Sequence, residues 1–138
     1  MSAFTSSRFL SRLMALDAAS CLGTGAVQLA LAVPMAAATG LPTVLLTGTG
    51  WFLIAYGLMA AWMARRNPVP RGLIGLVVVG NFAWAVACLA LWVSGVLPLT
   101  GLGKAWLALQ AFVVVALAEL QWMGLKRTRE ATAQPQPA

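Results

Sequence analysis

The chain has 138 residues, 61% of them hydrophobic and only 9% charged, with a formal net charge of +6. Soluble domains carry roughly 25% charged residues, so at a mean hydropathy of +0.87 this chain has more apolar surface than a single water-soluble domain can hide, and lipid is the expected solvent. The nine Lys and Arg sit at the ends of apolar runs and not in a patch interleaved with aromatics, which argues against nucleic acid as a partner. The lack of any His removes histidine-based zinc, haem and general-base chemistry.

In chain order, Arg8 and Arg12 lead into a first apolar run over residues 13–33. Two arginines before an apolar run also describe a signal peptide, with Ala36-Ala37-Ala38 as its cleavage site. The run is longer than a signal's apolar core and contains Asp17, so it is expected to stay as a membrane span. Further runs cover residues 43–64, 73–95 and 104–125. Each is long enough, as a helix, for a hydrocarbon core of ~30 Å. The breaks are Pro34 with Gly40-Leu41-Pro42, then Asn67-Pro68-Val69-Pro70, then Leu97-Pro98-Leu99-Thr100-Gly101. All three connections are short, so consecutive helices are expected to be neighbours. The expected fold is all-α: a polytopic membrane protein, an up-down antiparallel four-transmembrane-helix bundle over residues 1–127. The tail over residues 128–138 ends Gln-Pro-Gln-Pro-Ala and is expected to be disordered.

Basic residues set the expected orientation. Arg8, Arg12, Arg65, Arg66, Arg71, Lys126, Arg127 and Arg129 fall on one side, and only Lys104 on the other. Both termini are therefore expected to be cytoplasmic. Trp62 and Trp122 would lie near the inner interface, Trp92 and Trp106 near the outer one.

The chemistry-bearing residues lie inside the spans. Asp17, Ser20, Cys21, Thr24 and Gln28 share one helix face. A carboxyl in a span is costly and normally faces protein, water or a partner. Counting from the basic anchors places Asp17 roughly 7 to 8 Å deep, Glu119 roughly 10 Å and Asn81 near mid-membrane at ~15 Å. Asn81, Trp84, Cys88 and Trp92 form a stripe on the third span. On the fourth, Gln110 and Gln121 share a face and Glu119 points nearly the opposite way, together with Ala105, Ala108 and Ala116. Small residues favour close helix contact, so the Glu119 face is the expected packed one. The candidate polar site is Asp17, Ser20, Thr24, Gln28, Asn81 and Glu119. Against it stand plainer roles: Asp17 paired with Arg65 or Arg66, Glu119 reaching Lys126, Asn81 as a hydrogen bond between helices, and Gly23, Gly25, Gly48 and Gly50 as close-packing positions. Cys21 and Cys88 come out at different depths, which speaks against a disulfide.

Leu16-Asp17, Gly40-Leu41-Pro42, Arg65-Arg66, Asn81 with Trp84, Leu99-Thr100 with Gly103, and Leu120-Gln121 with Gly124-Leu125-Lys126-Arg127 together resemble a family of small bacterial four-transmembrane-helix integral membrane proteins. The resemblance implies a four-helix fold in the bacterial inner membrane and no particular activity.

No nucleophile stands beside a base and no metal motif is present, so an enzyme is not expected, nor is a cofactor or metal. Paired carboxylates acting as acid and base are the least favoured reading. The expected function is that of a non-catalytic membrane protein. It would be a binding or accessory module for a larger membrane complex, a lipid, or an apolar ligand such as a quinone-like molecule, with membrane lipids as constant partners and a homo-oligomer as an option. The alternative is a small proton-coupled transporter using Asp17, with Glu119 as a second candidate. The shallow depth of Asp17 and the one-sided distribution of basic residues weigh against it.

Overall fold

A computed structural model describes the backbone of residues 2–66 and 69–133, with side chains for residues 8–66 and 69–128. The described chain is helical: α1 Ser2–Ala30, α2 Ala32–Thr39, α3 Thr43–Ala64, α4 Arg71–Ser94 and α5 Gly101–Ala133. Four segments are long and apolar enough to cross a membrane, namely Arg8–Ala30, Thr43–Ala64, Arg71–Ser94 and Gly101–Thr128.

Three boundaries differ from expectation. The first helix begins well before residue 13 and ends at Ala30 instead of running to 33. Pro34 has no N–H to offer the Ala30 carbonyl, so the helical ladder fails there. The chain restarts as α2, whose first turn accommodates the proline. Gly40 closes α2 in the left-handed region, at φ +79°, where a glycine carries no Cβ penalty. At the other terminus α5 continues past residue 125 into the tail expected to be disordered. Residues 126–133 include no Gly or Pro to stop it. Residues 134–138 of that tail, and Asn67 and Pro68 of the expected second turn, lie outside the described residues.

The long helices are arranged as an arc in the order α3, α1, α5, α4. The seam between α1 and α3 is glycine-lined. A Cβ on Gly25 would stand 2.8 Å from the Gly50 carbonyl oxygen, and one on Gly57 would stand 2.7 Å from the Leu22 side chain. Gly23 and Gly48, also expected in such contacts, have nothing within 4 Å of a Cβ position; they lie on other faces of their helices.

α3 and α4 are joined by a short connection, yet among the described residues no Cα of one lies within 8 Å of a Cα of the other. Their approach is confined to side chains. At the end bearing Arg65 and Arg71, Met63 and Ala60 share a core with Ile74, Val77 and Met14. There Ser11 Oγ donates to the Ala64 carbonyl at 2.6 Å, and Arg71 Nη2 donates to the Leu125 carbonyl at 2.8 Å. At the far end Leu97 and Leu99, which follow α4, pack on Leu41 and Leu46. Thr100 donates its N–H to Thr39 O at 3.1 Å and its hydroxyl to Ala38 O at 2.6 Å. Gly40 and Gly103 make this approach feasible, because a Cβ on either would collide with a backbone carbonyl. Between these two ends the backbones stand apart and ring side chains bridge the gap.

Candidate functional site

The α1 stripe divides into two parts. At one end Asp17, 1% exposed, is held by amides from two other helices. Its Oδ2 accepts from Gln121 Nε2 at 2.9 Å and from Asn81 Nδ2 at 3.2 Å. Asn81 Nδ2 also donates to Gln121 Oε1 at 3.1 Å, closing a triangle. The Cys21 thiol lies one turn along α1, 3.5 Å from Asp17 Oδ1, and Gln121 Nε2 also faces Met14 Sδ at 3.6 Å. A buried carboxyl must find donors, and amides supply them without adding charge. At the other end Gln28 donates to the Leu46 carbonyl at 3.0 Å and to Thr49 Oγ1 at 2.8 Å, tying α1 to α3. Ser20 and Thr24 are half-buried and, among the described residues, hydrogen-bond to neither part.

Asp17 and Asn81, expected as neighbours, do meet. The third member is Gln121 and not Glu119, which is exposed. The buried face of α5 carries Leu107, Ala111, Ala118 and Gln121, so the face expected to pack, with Glu119, Ala105, Ala108 and Ala116, is turned away from the core. Two carboxyls side by side would repel, whereas an amide complements Asp17. That complementarity accounts for the pairing, although the sequence does not fix which face of α5 turns inward. The expected pairing of Asp17 with Arg65 or Arg66 is absent among the described residues. Arg66 instead covers the Trp62 ring at 4.5 Å, and Lys126 approaches Trp122 at 6.0 Å.

Beside the polar triangle, between α3 and α4, lies a chamber of about 380 Å³ that is open on its outer side, where Phe52 is exposed, and is lined by Cys21, Phe52, Tyr56, Gly80, Asn81 and Trp84, among others. Phe52 and Trp84 stack across the gap at 5.8 Å and 6° between planes, and Phe52 stacks on Tyr56 at 6.1 Å and 26°. Trp84 is fixed from behind by a 3.0 Å hydrogen bond from Nε1 to Gln110 Oε1. Trp84 and Ala87 are shared with a second chamber of about 140 Å³, which also touches Gln28, Cys88, Trp106 and Gln110. Neither lining includes a charged side chain. Both amide protons of Asn81 are committed, to Asp17 and Gln121, which leaves its carbonyl oxygen for the chamber it lines. The Tyr56 hydroxyl is buried and has no hydrogen-bond partner.

No protein-family model matches the chain, and no curated protein or solved structure gives a match. Among the described residues no group of three or more His, Cys, Asp and Glu side chains is placed to hold a metal ion. The arrangement offers a hydrogen-bonded cluster that joins three helices and, next to it, a largely apolar space with one unused acceptor on its wall and one unused donor buried behind that wall.

Proposed function

We propose that this chain is a non-catalytic integral membrane protein that binds an apolar or amphiphilic ligand drawn from the bilayer, in the cleft between α3 and α4. Its four long helices form an up-down transmembrane bundle in a bacterial inner membrane, with both termini cytoplasmic. One observation carries the reading: a chamber of about 380 Å³ between two helices whose backbones stay apart. Small-molecule sites occupy concave, mostly apolar spaces of ~300 to 1,000 Å³, often between the helices of bundles. The space opens outward past Phe52, so a molecule from the bilayer can reach it without crossing the bundle. The Asp17 triangle serves this function as a fastening that fixes α4 against α1 and α5 while leaving α3 clear of it.

The test is extraction in mild detergent followed by mass spectrometry of small molecules that stay bound. Gly80 lines the chamber and a Cβ there meets nothing within 4 Å, so Gly80→Leu fills the space without a backbone clash. Wild type is expected to retain an apolar molecule that Gly80→Leu loses. Equal retention by both proteins, or none by wild type, overturns the proposal.

A second reading, proton-coupled transport, draws support from a buried carboxyl held only by amides and a thiol, two of which line the chamber. Glu119 is exposed on α5 and outside this path. Flux into liposomes that is absent in wild type, or unchanged in Asp17→Asn, removes this reading.

A further inference from the structure

We infer that the chamber between α3 and α4 recognises one class of head group: a flat, uncharged ring bearing carbonyl or hydroxyl oxygens, of quinone or phenol type, on an apolar tail. The inference rests on the ligand-binding reading above and specifies it. Three independent features of the lining converge on this class.

The first feature is charge. No Lys, Arg, Asp or Glu lines either chamber. Asn81 lies ten residues beyond Arg71, or ~15 Å along the helix, about mid-membrane. A charged head at that depth with no counter-ion is strongly disfavoured. Lipid head groups with phosphate are thereby excluded, and a neutral head remains.

The second feature is shape. Tyr56, Phe52 and Trp84 form a run of near-parallel rings along the chamber. Apart from Trp84 and Asn81, α4 contributes only Gly80, Ala83 and Ala87 to the lining. Offset stacking on such a wall favours a planar partner, and the small residues leave room for its thickness. A saturated chain head gains nothing from ring geometry.

The third feature is hydrogen bonding. The Tyr56 hydroxyl is a buried donor with no partner, closed off from the chamber although its residue belongs to the lining, and the Asn81 carbonyl is an uncommitted acceptor on that lining. A ring carbonyl accepts from Tyr56 once that side chain turns its hydroxyl toward the ligand, and a ring hydroxyl donates to Asn81. One donor and one acceptor suit oxygen substituents in either form. The tail has a natural course past Trp84 and Ala87 into the second chamber, whose walls include Leu45, Leu91 and Leu107.

The experiment uses the full chain in phosphatidylcholine nanodiscs, titrated with decyl-benzoquinone and read by tryptophan quenching against empty nanodiscs. Dodecanol, decanoate and tetraphenylphosphonium serve as competitors for a plain hydroxyl, an anion and a lipophilic cation. Saturable quenching is expected, with no effective competition from the three. Tyr56→Phe, which removes a single hydroxyl, is expected to weaken binding about 3- to 10-fold without lowering the thermal midpoint, because the lost group has no partner in the free protein. Gly80→Leu is expected to abolish saturation, and Thr47→Val, away from the chambers, to leave it unchanged. Equal affinity in wild type and Tyr56→Phe overturns the head-group assignment. So does competition by dodecanol, decanoate or the cation as strong as that of unlabelled quinone. If one of those three binds in a way that Gly80→Leu abolishes while the quinone does not, the ring assignment falls and the cleft remains a ligand site. If no probe binds in a manner sensitive to Gly80→Leu, both fall together.

Discussion

α3 presents two opposite kinds of contact. Toward α1 it offers Gly50 and Gly57, and the backbones touch: Gly25 meets the Gly50 carbonyl and Leu22 lies over Gly57. Toward α4 it offers Phe52, which stacks on Trp84, and among the described residues the two backbones stay apart. The same helix thus closes one interface and props another open, and side-chain size at a few positions decides which. If these helices stand in lipid, as proposed, there is no hydrophobic gain from pressing them together, and packing and hydrogen bonds set their distances. A glycine seam provides the first of these. The α3–α4 side lacks it, and α4 is instead carried by Asn81, through Asp17 and Gln121, on the far side of the arc.

The comparison can be broken most severely at the tight seam. Gly25→Leu forces a side chain against the Gly50 carbonyl and is expected to destabilise by about 3 kcal/mol or more, since overpacking against backbone has no easy relief; a thermal-unfolding midpoint in a fixed detergent measures it. Asp17→Ala is expected to cost less, about 1 to 3 kcal/mol, by leaving buried amide donors on Asn81 and Gln121 without their acceptor. A double-mutant cycle with Gln121→Leu should return a coupling of about 0.5 to 2 kcal/mol, and a coupling near zero would show that the triangle does not act as a unit. The smallest effect belongs to Gly48→Ala. That glycine has open space at its Cβ position, so the change should raise stability by about 0.5 to 1 kcal/mol through helix propensity alone. Destabilisation at Gly48 would mean that its face, too, is part of a close contact.

Much of this contrast was hidden in the sequence for identifiable reasons. The four long apolar helices were legible because lipid-length runs bounded by Pro, Gly and basic residues have few other solutions. The meeting of Asp17 and Asn81 was legible because each is a strong hydrogen-bonder on a polar stripe. The choice between Gln121 and Glu119 was not, because both faces of α5 carry small residues and helix rotation decides which is buried. The same rotation separates Gly25 and Gly50, which touch, from Gly23 and Gly48, which do not. The gap between α3 and α4 was hidden most deeply. A short connection constrains only the ends it joins, and here Met63 and Ile74 do share a core while the helices part beyond them. The partnerless Tyr56 hydroxyl is a property of that gap and has no sequence signature.

The Thr100 contacts at the far end have a consequence for traffic. With Thr100 fastened to Ala38 and Thr39, and a shared core at the opposite end, α3 and α4 behave as the two lips of a slit and not as the jaws of a hinge. With both ends held, any separation of α3 and α4 is expected at mid-length, where the backbones already stand apart. On the proposed placement in a membrane, a ligand would then enter sideways, in the plane of the bilayer, at a rate set by the fluidity and thickness of the surrounding lipid more than by the concentration of anything dissolved on either side.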